Sequence, residues 1–248
     1  MMRLPAAVAL ALVAGTVLTA CAGGSDVDEP TSGTSVGPRA VYVAVGSDET
    51  VGVGADRPTV EAWPQVLYRT ALDRRTVFVN AASQGSSMAD ALDEQLPLAL
   101  ELQPTLVTVW LNRTDFEAGT SVAAFERRFF ELVRALRRGG RTEVMVANMP
   151  PDAPEDSAEP DPDDIEDLDP TAESDGVADL GADERAARIL AYNDAIDRVA
   201  AAEGATVVDL HSAVVDAEEN DAVDPVLGPD GPSTEDHARI AELFAAAL

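Results

Sequence analysis

Ala40-Val41-Tyr42-Val43-Ala44-Val45-Gly46-Ser47-Asp48-Glu49-Thr50-Val51-Gly52-Val53-Gly54 is the stretch on which the fold turns. Its first half is a short apolar, β-branched run that breaks at glycine, the pattern of a buried strand ending in a tight loop. In an open α/β sheet, ligands bind at the loops that leave the carboxyl ends of the strands. Ser47 and Asp48, at the head of this loop, are therefore the first candidates for function.

Working outward, strand-like and helix-like segments alternate. Strands are expected at Val41–Val45, Thr76–Asn80, Leu106–Leu111, Glu143–Ala147 and Thr206–Leu210. Between them, helical spacing of apolar residues predicts helices at Val60–Leu72, Met88–Leu100, Val122–Arg138, Glu184–Glu203 and Glu235–Leu248. Trp63-Pro64 suits a first helical turn, where proline is tolerated, and Gly139-Gly140 and Gly204 are good helix stops. Ser233 or Thr234 is the expected N-cap of the last helix. Five short apolar strands separated by helices imply a parallel sheet covered on both faces. Right-handed crossovers then give an α/β fold, a three-layer α/β/α sandwich.

The charge balance is extreme, with 45 acidic side chains against 17 basic ones, all arginine, and a formal net charge of -28. Binding nucleic acid needs a basic face that neutralises phosphate, so no nucleic-acid partner is expected. Electrostatic docking on anionic lipid is disfavoured for the same reason. The acids are densest between Pro150 and Glu184, which holds fifteen Asp or Glu, six prolines and no basic residue. Self-repulsion and scarce apolar side chains predict a solvated, disordered acidic loop over 150–184. Asp161–Asp167 resembles a calcium loop only superficially, because the glycine and glutamate that an EF-hand requires are out of register.

The first residues carry an address. Arg3 precedes an apolar run from Leu4 to Leu18, followed by Leu18-Thr19-Ala20-Cys21. A positive start, an apolar core and small residues before a cleavage point make a secretory signal peptide over 1–20, too short to span a bilayer comfortably. Leu-Thr-Ala-Cys matches the bacterial lipobox and predicts lipidation of Cys21 with cleavage before it. Cys21 is the only cysteine, so no intrachain disulfide is available. Residues 21–38 are rich in Gly, Ser, Thr, Asp and Pro and read as a flexible tether. The domain is then 39–248, exported and held at the membrane by its lipid.

Four blocks resemble the SGNH/GDSL hydrolases, a family of ester hydrolases with a flavodoxin-like sheet. The first, Gly46-Ser47-Asp48 through Gly52, aligns Asp48 with the family's serine nucleophile and leaves Ser47 one residue early. The second, Asn80-Ala81-Ala82-Ser83-Gln84-Gly85, retains the oxyanion glycine as Gly85. The third, Trp110-Leu111-Asn112-Arg113-Thr114-Asp115, has Thr114 where the family carries an oxyanion asparagine. The last, Pro229-Asp230-Gly231-Pro232-Ser233-Thr234-Glu235-Asp236-His237, matches the orienting aspartate as Asp230. It lacks two residues between Gly231 and Pro232, the family's catalytic histidine among them. His237 aligns with a second, helical histidine, and the other histidine, His211, follows the fifth strand.

Ester hydrolysis of this type needs a serine nucleophile, a histidine base and an oxyanion hole. The resemblance therefore implies the family's fold with an altered site at Ser47, Asp48, Gly85, Thr114, Asp230 and His237. One expectation is a catalytically impaired domain that binds a glycan, lipid or protein ligand. A second is an active esterase with a rearranged site, using Ser47 with His237 or Asp48 to activate a water. A third is a divalent cation held by Asp48, Asp115 and Asp230, carboxylates being hard ligands. No cofactor is expected, and the oligomeric state is left open.

Overall fold

A computed structural model describes residues 39–152, 177, 180–219 and 231–248. The expected signal peptide, Cys21 and the tether lie outside these residues, as do most of the acidic segment and Asp230. Five parallel strands form one sheet in the order β2-β1-β3-β4-β5, with β1 at Val41–Gly46, β2 at Val77–Asn80, β3 at Leu106–Trp110, β4 at Glu143–Ala147 and β5 at Thr206–Val208. This is the flavodoxin-like order, whose topological switch point lies between β1 and β3.

Side chains alternate across each strand, so every strand feeds two cores. Val43, Val45, Val107, Val109, Val144 and Val146 face one side. There they meet α5 (Leu96–Glu101), α7 (Val122–Arg137) and α8 (Ala182–Glu203), which bring Ala99, Phe125, Phe129 and Ile196. Tyr42, Ala44, Trp110 and Met145 face the other side, against Trp63 and Leu67 of α3 (Trp63–Ala71) and Phe244 of α10 (Thr234–Ala246). Trp63 stacks on Phe244 at 4.2 Å between ring centroids, a geometry worth about 0.5–1.5 kcal/mol beyond burial. The three-layer α/β/α sandwich read from the periodicity is present.

The elements differ from the sequence reading where local chemistry overrides periodicity. The helix expected over Val60–Leu72 is broken into α2 (Pro58–Glu61) and α3, with Ala62 extended at φ -57 and ψ 142. Pro64 has no N–H to give to the carbonyl of Val60, so the helix restarts instead of continuing. The fifth strand stops at Val208 rather than Leu210, because the Asp209 carboxylate accepts the N–H of Ser212 at 2.9 Å. That bond is an N-cap, and it starts an unforeseen helix, α9 (Leu210–Glu219). Two short helices also follow the strand exits: α1 (Asp48–Val51) after β1 and α6 (Arg113–Glu117) after β3. The segment expected as one helix from Met88 is α4 (Met88–Asp90), a π-helical turn at Ala91–Gln95, and α5. Ser233 caps α10 as expected, in a reciprocal box with Asp236. Among the described residues no helix is long and apolar enough to cross a membrane.

Candidate functional site

The exits of β1 and β3 meet at the switch point. Gly46 ends β1 and pairs in register with Trp110. Gln95, 3 % exposed, clamps it from the π-helical turn: its amide oxygen accepts the Gly46 N–H and its amide nitrogen donates to the Gly46 carbonyl, both at 2.9 Å. A π-turn displaces the side chains that follow it, and such turns recur at functional sites. The sequence reading passed over Gln95, whose only signal was a polar residue on the buried face of an otherwise apolar helix.

Beyond Gly46 the chain turns into α1, and the expected site residues come together. The Ser47 hydroxyl donates to Asp48 Oδ2 at 3.0 Å, and the Gly85 N–H donates to the same oxygen at 3.1 Å. Ser47 Oγ also lies 3.2 Å from Thr114 Oγ1. Since the Ser47 proton goes to the carboxylate, Thr114 is the donor in that pair. The three donors thus form a chain running from Thr114 through Ser47, joined by Gly85, all ending on Asp48. Ser47 is 2 % exposed, whereas Asp48 is half-buried.

Glu49, the next residue, is 8 % exposed. Burial pushes its carboxyl above the usual carboxylate range, opposed by its own backbone N–H and by the Arg113 charge, while the Asp48 charge adds to the rise. The hydrogen bonds of Arg113 go elsewhere. It donates to Asp152 at 2.6 Å and to Glu117 at 3.2 Å. Arg185 of α8 completes the network, reaching Asp152 at 2.8 Å and Glu117 at 3.0 Å. Asp152 is accordingly held below the ordinary aspartate range by its two arginines against the opposing effect of its own burial.

Neither histidine joins Ser47 or Asp48 by a hydrogen bond among the described residues. His237 is 0 % exposed; its Nδ1 accepts the Trp63 N–H at 3.3 Å, and its Nε2 lies 3.1 Å from the Val53 carbonyl. Those partners require the neutral tautomer with the proton on Nε2. Burial lowers its pKa, against the Val53 carbonyl and Asp236. The expected Ser47–His237 pairing is therefore not formed: both ring nitrogens are committed to the backbone of Trp63 and Val53. His211 begins α9 after β5, three ladder steps from β1. At about 4.8 Å per step that is roughly 14 Å of lateral separation. Its backbone N–H goes to Asn148, which also donates to Asp209.

The last block shows where the space for a catalytic histidine has gone. A Cβ added at Gly54 would meet the Gly231 carbonyl carbon at 3.0 Å and the Pro232 carbonyl oxygen closer still. Thr234 Oγ1 accepts the Asp56 N–H at 2.9 Å. The segment is stitched flat onto the turn after α1. As for a cation, Asp115 is 2 % exposed and accepts the Met88 N–H, with Arg128 at 3.6 Å. Asp230, the third carboxylate of the expected cation site, lies outside the described residues. No group of three or more His, Cys, Asp or Glu among the described residues is placed to hold a metal ion.

A parallel 2-1-3-4-5 sheet with Ser47 and Asp48 after β1, Gly85 after β2 and Thr114 after β3 has the architecture of the SGNH-hydrolase class. Residues 44–228 match the model of the GDSL-like Lipase/Acylhydrolase family, and the chain belongs to that family. Solved structures agree in fold. One is phospholipase A1 from Streptomyces albidoflavus, with TM-score 0.59 and 17 % identity over 85 % of this chain and 100 % of that one. Another is a member of the lipolytic protein G-D-S-L family from Veillonella parvula, with TM-score 0.60 and 11 % identity over 84 % and 97 %. A third is the lipase/acylhydrolase from Enterococcus faecalis, with TM-score 0.59 and 17 % identity over 84 % and 94 %. Likeness at such identities concerns the fold alone. A search of curated proteins found no match.

Proposed function

We propose that this chain is an exported, lipid-anchored member of the family that does not hydrolyse esters and acts by binding a glycan, lipid or protein ligand. The observation that carries the reading is Asp48. Its carboxylate stands at the family's nucleophile position and accepts the hydrogen bonds of Gly85 and Ser47. An oxyanion hole accelerates acyl transfer because its donors are free for the developing charge, and losing one donor reduces the rate by about 10²–10³. Here the Gly85 donor already serves a resident anion, and Thr114 replaces the asparagine.

An active site built on Ser47 is the second reading, favoured by the Ser47–Asp48 hydrogen bond. The base that Ser47 meets in this reading is a carboxylate instead of an imidazole, a poorer match to a serine proton near neutral pH. Ser47 is also sealed from solvent. The full chain, treated with a fluorophosphonate and assayed on short-chain esters, is expected to show neither labelling nor turnover above background, and Ser47→Ala is expected to change nothing. Turnover abolished by Ser47→Ala would establish the second reading instead.

The membrane anchor rests on the Leu18-Thr19-Ala20-Cys21 lipobox. A single acyl chain binds membranes only marginally, so stable anchoring fits the two chains of a diacylglyceryl cysteine. In a bacterial host, Cys21→Ala is expected to move the protein from the membrane fraction to the soluble fraction. Unchanged membrane association would defeat the anchor.

A further inference from the structure

The strands of a parallel sheet all begin at one end, and here that end carries positive charge in a chain that is otherwise acidic. Arg39, Arg75 and Arg141 each stand two residues before the first residue of β1, β2 and β4. The register sets those first residues side by side, with Val41 against Val77, Tyr42 against Leu106 and Leu106 against Glu143. All three arginines are exposed. Arg74 and Arg138 lie beside them, and Arg69 and Arg134 occupy the last turns of α3 and α7. None of these seven side chains makes an ion pair or a side-chain hydrogen bond among the described residues; Arg134 has only the Phe130 ring, 5.6 Å from its centroid. Arg113, Arg128 and Arg185, by contrast, are bound to carboxylates near the strand exits. Four acids share the strand-entry turns, Asp73, Glu101, Glu143 and Glu203, against eight arginines once Arg137 is counted. Helix dipoles do not account for the excess, because they favour a cation only in a last turn, and Arg39, Arg74, Arg75 and Arg141 lie outside the helices.

The chain enters the domain at this same end, where Arg39 leads into β1. Seventeen residues, Ala22 to Pro38, join it to Cys21. At no more than about 3.6 Å per residue, they keep this end within roughly 60 Å of a lipid on that cysteine. We infer that the domain stands on the membrane with its strand-entry end against the phosphate groups of anionic lipids, so that the candidate site at the strand exits faces away from the bilayer. A guanidinium pairs with phosphate through parallel, charge-assisted hydrogen bonds, and these guanidinium groups are not engaged by the fold. The net charge of -28 repels a detached domain from an anionic surface, but the anchor makes the encounter intramolecular. Screening also acts over about 8 Å at physiological salt. A six-residue strand such as β1 is roughly 20 Å long, so acids at the far end contribute little. The ligand of the candidate site then arrives from the solution side, which favours a glycan or a protein over a lipid still in the bilayer.

The inference rests on the lipid anchor proposed above, and it is tested with the mature, lipidated chain in vesicles. A fluorophore on Thr70→Cys reads the strand-entry end, and one on Gln84→Cys reads the exit of β2; both positions are exposed, and the Cys21 sulfur is taken up by its lipid. The vesicles are phosphatidylcholine, alone or mixed equally with phosphatidylglycerol, and carry a nitroxide quencher on lipid headgroups. In mixed vesicles the label at position 70 is expected to be quenched severalfold more than the label at position 84. The difference is expected to collapse in phosphatidylcholine alone, at high salt, and in the triple variant Arg39→Gln, Arg75→Gln, Arg141→Gln. Those side chains have no partners in the fold, so the melting temperature of the variant is expected to stay close to that of the wild type. Equal quenching at the two positions in mixed vesicles, or a difference that survives the triple variant, overturns the inference and leaves the anchor standing. A chain that does not associate with vesicles at all overturns the anchor and the orientation with it.

Discussion

Replacing His237 by alanine is expected to destabilise the domain by about 3–5 kcal/mol without altering any reaction, because this histidine holds backbone together. The substitution leaves the Trp63 N–H and the Val53 carbonyl without their partners, in a spot where the histidine is 0 % exposed. Each unpaired buried group costs about 1–3 kcal/mol, and the cavity left by the ring adds to that. Against a typical stability of about 5–15 kcal/mol this is a large fraction. His237→Asn, whose side-chain oxygen falls near the place of Nδ1, is expected to recover part of the loss.

The pH dependence gives a second signature of the same role. Burial lowers the folded pKa of His237 below its ordinary value of 6.5, so the unfolded chain takes up a proton before the folded one does. The stability contributed by the neutral ring is fully present above about pH 6.5 and is lost as the pH falls toward the folded pKa. The slope from this one group reaches about 1.4 kcal/mol per pH unit. The many carboxylates titrate over the same range, so the informative quantity is the difference between wild type and His237→Asn. That difference is expected to shrink as the pH is lowered from 7 to 5, measured by urea unfolding. A difference that stays constant across this range would show that His237 is not held neutral by its burial.

The sequence told much about the sheet and less about the site, for physical reasons visible in single residues. Buried parallel strands are short continuous apolar runs, so Val41–Gly46 and Leu106–Trp110 could hardly be read otherwise. The positions of Ser47, Asp48, Gly85 and Thr114 followed from their places at strand exits and from the family resemblance, and the structure joins them. What periodicity does not encode is which side chains bond to backbone. Asp209 ends a strand by capping α9, and Pro64 divides a helix whose apolar spacing runs on through it. Gln95 is a polar residue at a core position, and its meaning appears only when Gly46, distant in sequence, is brought beside it. His237 was open to a structural or a catalytic reading, and only the bonds of its two nitrogens assign it to backbone.

Gly46→Ala is the other substitution expected to act strongly, by about 3 kcal/mol, and here the cause is space rather than backbone freedom. A Cβ built on Gly46 lies 2.8 Å from the Trp110 carbonyl oxygen and closer still to Thr50 Oγ1. The Trp110 carbonyl belongs to the central strand β3, and Thr50 is fully buried in α1. Neither gives way without moving the sheet or the turn, and overpacking of this kind costs about 1–3 kcal/mol, sometimes more. Thr50→Ala removes the contact with Oγ1 but leaves the Trp110 oxygen at 2.8 Å and the Cβ of position 50 closer still, so the double variant is expected to remain less stable than Thr50→Ala alone. The turn is the softer partner, and its displacement carries Ser47 and Asp48 away from Gly85. Gly46→Ala is therefore expected to move the Gly85 amide resonance, whose N–H is bonded to Asp48, even at temperatures where the variant is still folded. A loss of less than about 0.5 kcal/mol would mean that the exit of β1 yields easily. The clamp of Gln95 on Gly46 would then not be what fixes the direction of Asp48.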